Sequence, residues 1–189
     1  MTELQLSQYD QSTYERGRPI WVVFLWDIVQ TFLIHLSPHG FYAWRRWLYR
    51  LFGARIGKGV LIRKSVICNY PWKLSVGDYS WIGDQATLYS LDYITIADNV
   101  VISQQAYLCT GSHDYQSRSF SLIVKPISIA TGAWIALGAL VMPGITVGVG
   151  ALIGARAVIT KDALPWTIYQ GSPARPVGQR VIQDKMSDS

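Results

Sequence analysis

The chain has 189 residues, with 17 Lys and Arg against 12 Asp and Glu, a formal net charge of +5, and half of its residues hydrophobic against 15% charged. That length suits one packed domain, and the composition excludes a largely disordered chain. The basic excess is modest and no Lys/Arg block forms a nucleic-acid arm, while Cys68 and Cys109 make neither a metal spacing nor a disulfide framework, which fits a reducing, cytoplasmic compartment.

The opening "MTELQLSQYD" lacks the basic start and apolar core of a secretory signal. Ile20 to Leu36 is strongly apolar, yet it falls short of the usual ~20-residue membrane span and contains Asp27, Gln30 and His35. A charge in mid-membrane costs at least ~2.5 kcal/mol, so this stretch reads as a helix that does not cross a bilayer. Ser37-Pro38-His39-Gly40 interrupts it. In "FYAWRRWLYRLF", the residues Phe41, Trp44, Trp47, Leu48, Leu51 and Phe52 recur at helical spacing, while Arg45, Arg46 and Arg50 fall largely elsewhere; Gly53 then stops the helix. Residues 1–53 are therefore expected as a helical segment that packs its aromatic stripe on the rest of the protein. The alternative is an interfacial segment, residues 20–52, in peripheral contact with the inner face of the plasma membrane.

From Ile56 the period changes. Ile129, Ile135, Val141, Val147, Ile153 and Ile159 stand six residues apart, and Ala133, Ala139, Ala151 and Ala157 follow their aliphatics by four, with Ile145 the exception. Val76, Ile82 and Leu88 keep the same spacing, and Ile96, Ile102 and Leu108 resume it after a two-residue slip. A helix repeats every 3.6 residues and a strand every two; a short strand plus a turn repeats every six. Stacking such units builds a parallel β-helix, mainly β, whose aliphatics fill a narrow core and whose small residues allow corners. The β-helix is expected over residues 54–164, with a loop ejected at 109–126 ("CTGSHDYQSRSFSLIVKP") and a C-terminal tail over 165–189.

With "RLFGARIGKGV", "YPWKLSVGDYSWIG", "ISQQAYLCTGSHDY" and "GSPARPV", the chain resembles the hexapeptide-repeat acyltransferases, and within them the colanic-acid-type polysaccharide O-acetyltransferases. The resemblance implies a left-handed β-helix, against the usual right-handed crossover, and a homotrimer. It also implies acetyl-CoA as acyl donor and a saccharide or lipid-linked saccharide acceptor, with no metal. Thr110-Gly111-Ser112-His113 matches the family's Thr-x-x-His, which makes His113 the implied catalytic base. Trp134, Leu137, Ala155, Lys161, Arg175 and Arg180 fall at implied cofactor-groove positions. Asp84, Gln85 and Asp92, at turns upstream of the loop, are candidate acceptor contacts.

The chemistry suits these residue types. A sugar hydroxyl is a weak nucleophile near neutral pH, and an imidazole can take its proton as it attacks a thioester. The other ring nitrogen needs an acceptor, which Asp114, Asp92, Asp98 or a backbone carbonyl could supply. An oxyanion donor is also required, either a backbone N–H or Ser112. Lys and Arg in the tail suit phosphates. A zinc lyase on the same fold would need about three histidine ligands, whereas His113 alone lies in the repeats. An acyl-carrier-protein-dependent acyltransferase and a non-catalytic scaffold remain as rivals.

Overall fold

The computed structural model describes residues 4–12 and 14–183; the first three residues and the last six of the expected tail lie outside the described residues. Two helices precede the coil. Helix α1 (Ile20–Ile28) runs on as a π-helical stretch over Val29–Ile34, and α2 is Tyr42–Leu51.

Six-residue units then stack as the spacing predicts. The first turn holds β1 (Arg55–Ile56), β2 (Leu61–Ile62) and β3 (Ile67–Cys68); the second holds β4 (Leu74–Val76), β5 (Trp81–Ile82) and β6 (Thr87–Tyr89). The third comprises β7 (Ile94–Ile96), β8 (Val101–Ile102) and β9 (Tyr107–Cys109). A hairpin of β10 (Gly111–His113) and β11 (Leu122–Val124) then leaves the coil. The fourth turn is β12 (Ile127–Ile129), β13 (Trp134–Ile135) and β14 (Leu140–Val141), and the fifth is β15 (Thr146–Val147), β16 (Leu152–Ile153) and β17 (Val158–Ile159). Beyond the expected boundary at residue 164, β18 (Thr167–Gly171) adds a rung against β16, and β19 (Ala174–Gln179) folds back on it antiparallel.

Three parallel sheets result: β1-β4-β7-β12-β15, β2-β5-β8-β13-β16-β18 and β3-β6-β9-β14-β17. They are called the first, second and third faces below. Each two-residue strand sends one residue inward, and β4, β7 and β12 on the first face send two, so registered columns fill the core. Ile62, Ile82, Ile102, Ile135 and Ile153 form one such column; Cys68, Leu88, Leu108, Val141 and Ile159 form another. The alanines that follow four residues later are buried at the corners, where extra volume would push successive rungs apart. Ile145 departs from that rule because it closes the corner between the third and first faces. That corner is wider in the early turns, where eight residues rather than six separate Cys68 from Val76 and Leu88 from Ile96.

The helices close the coil's first turn, and here the expected orientation of α2 is corrected. Leu48 is buried as the spacing predicts, but Phe41, Trp44, Trp47 and Leu51 face outward, and Arg45 is fully buried. The first turn has no preceding rung, so its carbonyls need donors from elsewhere. Arg45 Nε donates to Ile62 O at 2.6 Å, Arg46 Nη1 to Val60 O at 2.9 Å, and Arg50 Nε to Ile56 O at 2.9 Å. From α1, Trp26 Nε1 donates to Cys68 O at 2.7 Å, and Gln30 Oε1 accepts from Cys68 N at 2.8 Å. The end of a coil is a polar surface, and an arginine face matches it better than an aromatic one.

Candidate active site

The loop that carries His113 leaves the coil at the wide corner between the third and first faces, and Thr110 fastens its base. That residue is fully buried; its Oγ1 donates to Tyr89 O at 2.6 Å and accepts from Asp92 N at 2.9 Å, while its carbonyl accepts from Lys125 N at 2.9 Å. Both strands of the exit are thus tied to one residue. A Cβ at Gly111 would lie 2.8 Å from Leu91 Cδ1, so any larger residue there would displace that side chain.

Strand β10 pairs with β11 so that His113 stands opposite Leu122. The tip between them folds through a chain of turns, and Phe120 adopts a left-handed φ of 51°. In that conformation its carbonyl oxygen lies 2.8 Å from His113 Nδ1, and its ring stacks on the imidazole at 4.4 Å. A carbonyl can only accept, so Nδ1 carries the proton and Nε2 of the neutral ring has its lone pair available. The acceptor left open by the sequence is therefore a backbone carbonyl. Asp114 instead accepts from Gln116 N, Asp92 from Tyr93 N, and Asp98 from Asp78 N.

The segment before α1 wraps this corner. Gln5 N donates to Arg118 O, the Tyr9 ring centroid is 5.7 Å from that of His113, and Tyr14 Oη donates to Leu91 O at 2.8 Å. Lys73 reaches across with Nζ donating to Leu91 O at 2.6 Å and Glu15 O at 2.9 Å, and burial lowers its pKa. Together these elements bound a cleft of about 600 Å³, lined by Asp10, Glu15, Lys73, Asp92, Ser121 and Leu122 among others. Its carboxylates and hydroxyl suit a polyhydroxylated ligand. Tyr9, Tyr14, Lys73 and Phe120 escaped sequence reasoning because no motif marks a residue that acts through packing or its backbone.

The structure divides the expected site residues. Asp92 lines the cleft beside the histidine loop. Asp84 and Gln85 sit at the corner between the second and third faces, so within one chain they do not join Asp92. There Asp84 binds Arg63 Nε at 3.2 Å and Ser65 Oγ at 2.8 Å, and Gln85 Oε1 accepts from Gln105 Nε2 at 3.0 Å. Leu137 and Ala155 are exposed at that same corner. Trp134 faces outward from the second face, its Nε1 donating to Ser103 Oγ at 2.8 Å, over a groove of about 590 Å³ that Trp81, Gln104 and Arg180 also line. Arg180 Nη1 donates to Gly132 O and Gly150 O, which ties the end of the chain to the corner between the first and second faces. Arg175, on β19, and Lys161, at the corner that carries the loop, are exposed. His113 contacts none of these six groove residues through a hydrogen bond or a ring pair within the chain.

No protein-family model matches the chain. Over 166 residues it is 46% identical to the Escherichia coli K12 protein named as the colanic acid biosynthesis acetyltransferase WcaF, covering 88% of this chain and 91% of that one. It is 32% identical to nodulation protein L of Rhizobium meliloti over 65% of this chain and 69% of that protein. Among solved structures it superposes on a maltose O-acetyltransferase from Clostridium difficile with a TM-score of 0.78 at 25% identity, covering 86% and 88% of the two chains. A hexapeptide-repeat acetyltransferase from Vibrio cholerae complexed with acetyl coenzyme A also gives 0.78 at 25% identity, covering 86% and 89%. The coil is thus a left-handed parallel β-helix, and the chain belongs to the hexapeptide-repeat acetyltransferases.

Proposed function

We propose that the protein transfers acetyl from acetyl-CoA directly to a sugar hydroxyl during exopolysaccharide synthesis, with His113 as general base. The observation that carries this reading is the Phe120 carbonyl bound to Nδ1, which leaves Nε2 as the basic nitrogen on a loop whose Ser121 and Leu122 line a polar cleft. The acceptor hydroxyl gives its proton to Nε2 as its oxygen attacks the thioester carbon. The C–S bond then breaks, and the departing thiolate takes that proton back. The thioester is already activated, so no acyl-enzyme is needed.

The acceptor sugar occupies the cleft, with Asp92, Asp10 and Glu15 accepting from its hydroxyls. The relative named for colanic acid biosynthesis and the maltose O-acetyltransferase support a saccharide acceptor, and the Vibrio complex supports acetyl-CoA as donor. Trp134, Leu137 and Ala155 line the donor groove, with Lys161, Arg175 and Arg180 toward the phosphates. Trp134, Leu137 and Ala155 lie on a different side of one coil from His113, whereas Lys161 shares the corner of the histidine loop. A homotrimer in which one copy's groove faces the next copy's histidine loop unites them. The buried free thiol of Cys68 and the cytosolic donor fit a cytoplasmic enzyme.

The test is transfer by purified protein from acetyl-CoA to a panel of saccharides, followed by thiol release, with acetyl-carrier protein as the competing donor. His113→Ala should lower the rate by about a hundredfold or more. A rate left intact would remove His113 from the chemistry.

A further inference from the structure

Among the described residues, twelve of the 28 large hydrophobic residues that are exposed lie between Ile20 and Leu51, on the outer side of the helical cap. Trp26, Gln30, Arg45 and Leu48 spend the inner side on the coil's first turn. The opposite side therefore looks outward along the coil, away from the β18–β19 end. Phe24, Phe32, Leu36 and Leu51 stand there beside Trp44 and Trp47, which stack at 5.2 Å. Between the two helices runs an apolar groove of about 370 Å³. A patch so concentrated marks a contact surface.

Charge identifies the partner. Between Arg16 and Lys58 lie seven of the chain's 17 basic residues and one of its 12 acidic ones, a local positive excess of which Arg45, Arg46 and Arg50 turn to the coil's carbonyls. Arg16 and Arg18, which precede the first helix, and Arg55, which follows the second, are exposed. Among the described residues no helix is long and apolar enough to cross a membrane. We propose that this face docks on an anionic lipid bilayer. The aromatic and aliphatic side chains enter the interfacial layer and the arginines meet the headgroups, as in other in-plane amphipathic helices. A second copy of the same face is disfavoured, because it would bring two basic surfaces together. The proposal concerns the cap alone and stands whether or not His113 is the base.

The experiment is co-sedimentation of the full chain with vesicles containing phosphatidylglycerol and with vesicles of phosphatidylcholine alone. Binding to the anionic vesicles should be at least about tenfold tighter. The double variant Phe32→Glu/Trp47→Glu should weaken it by about tenfold or more, with acetyl transfer to a soluble acceptor unchanged, whereas Ile182→Glu, exposed at the other end, should bind as the parent does. Quenching of native tryptophan emission by brominated phosphatidylglycerol reads the same contact without any substitution. Absence of both sedimentation and quenching overturns the proposal. So does equal binding by the double variant, or a doubled mass in light scattering that the double variant abolishes, which would assign the face to a second copy.

Discussion

The carbonyl oxygen of Phe120 lies 2.8 Å from Nδ1 of His113, and the two rings stack at 4.4 Å. One residue thus sets both the tautomer and the tilt of the imidazole, and it does so from a left-handed backbone conformation.

That pairing separates the base from the fold of its loop. In His113→Asn the side-chain amide nitrogen takes roughly the place of Nδ1 and can still donate to Phe120 O, but nothing replaces Nε2. The rate should fall by about 10²–10⁴, with the thermal midpoint unchanged. Steady-state transfer and a melting curve on the same sample check it.

Thr110 ties the base of the loop through a hydroxyl that both donates and accepts. Thr110→Val keeps the shape but strands the Asp92 amide, at a cost of about 1–3 kcal/mol where it stays dry, and leaves Tyr89 O with only the 3.2 Å bond from the backbone N–H of residue 110. Thr110→Ser restores both bonds. The valine variant should lose stability and transfer rate together, and serine should recover most of each in urea titration and assay.

Arg45 is fully buried and donates to Ile62 O, Pro38 O, His39 O and Ser37 Oγ. Burial lowers the pKa of its guanidinium. Arg45→Met leaves Ile62 O, His39 O and Ser37 Oγ without this donor, while Pro38 O keeps Phe41 N at 3.1 Å, and should destabilise by about 1–3 kcal/mol for each acceptor that stays dry. Lysine lacks the planar fork and should recover only part of that. Denaturant unfolding of the three proteins orders them.

Burial pushes the Cys68 thiol up to about 12, from an ordinary value of 9.0. The unfolded chain therefore ionises this thiol first, and its contribution to stability is intact below pH 9 and declines as pH rises from there toward 12. The decline approaches about 1.4 kcal/mol per pH unit. Cys68→Ala should show a shallower alkaline loss than the parent between pH 8 and 10 in urea titrations. The native thiol should also resist alkylation at neutral pH.

A Cβ at Gly83 would stand 2.7 Å from Gln104 N and 2.8 Å from Ser103 C, both backbone of the next turn, whereas one at Gly40 meets nothing within 4 Å. Gly83→Ala should cost about 1–3 kcal/mol and Gly40→Ala close to nothing. A shift of similar size in both melting curves would contradict tight packing of the corners.

The coil was legible because a two-residue strand has room for a single inward side chain, so the spacing of Ile129, Ile135 and Val141 records the geometry directly. The slip between Leu88 and Ile96 was legible too, and it marks the wide corner that three rungs share before His113 leaves it. The facing of α2 was not legible. Amphipathic reasoning assumes an apolar partner, and the helix meets the carbonyls of Ile56, Val60 and Ile62 instead. His113 declared itself by motif, but the Phe120 carbonyl could not, since any residue type carries one. Asp84 and Gln85 precede the loop closely in sequence yet lie at a different corner, because in a three-sided coil nearness along the chain does not imply a shared edge.

A stack of parallel strands has no intrinsic stopping point: each rung offers the next a full set of donors and acceptors, which is how fibrils grow. Here the guanidinium groups of Arg45, Arg46 and Arg50 occupy the first rung's acceptors, and β19 folds back along the last. A further rung at either end would first have to displace these contacts, which guards the coil's ends against pairing with another chain.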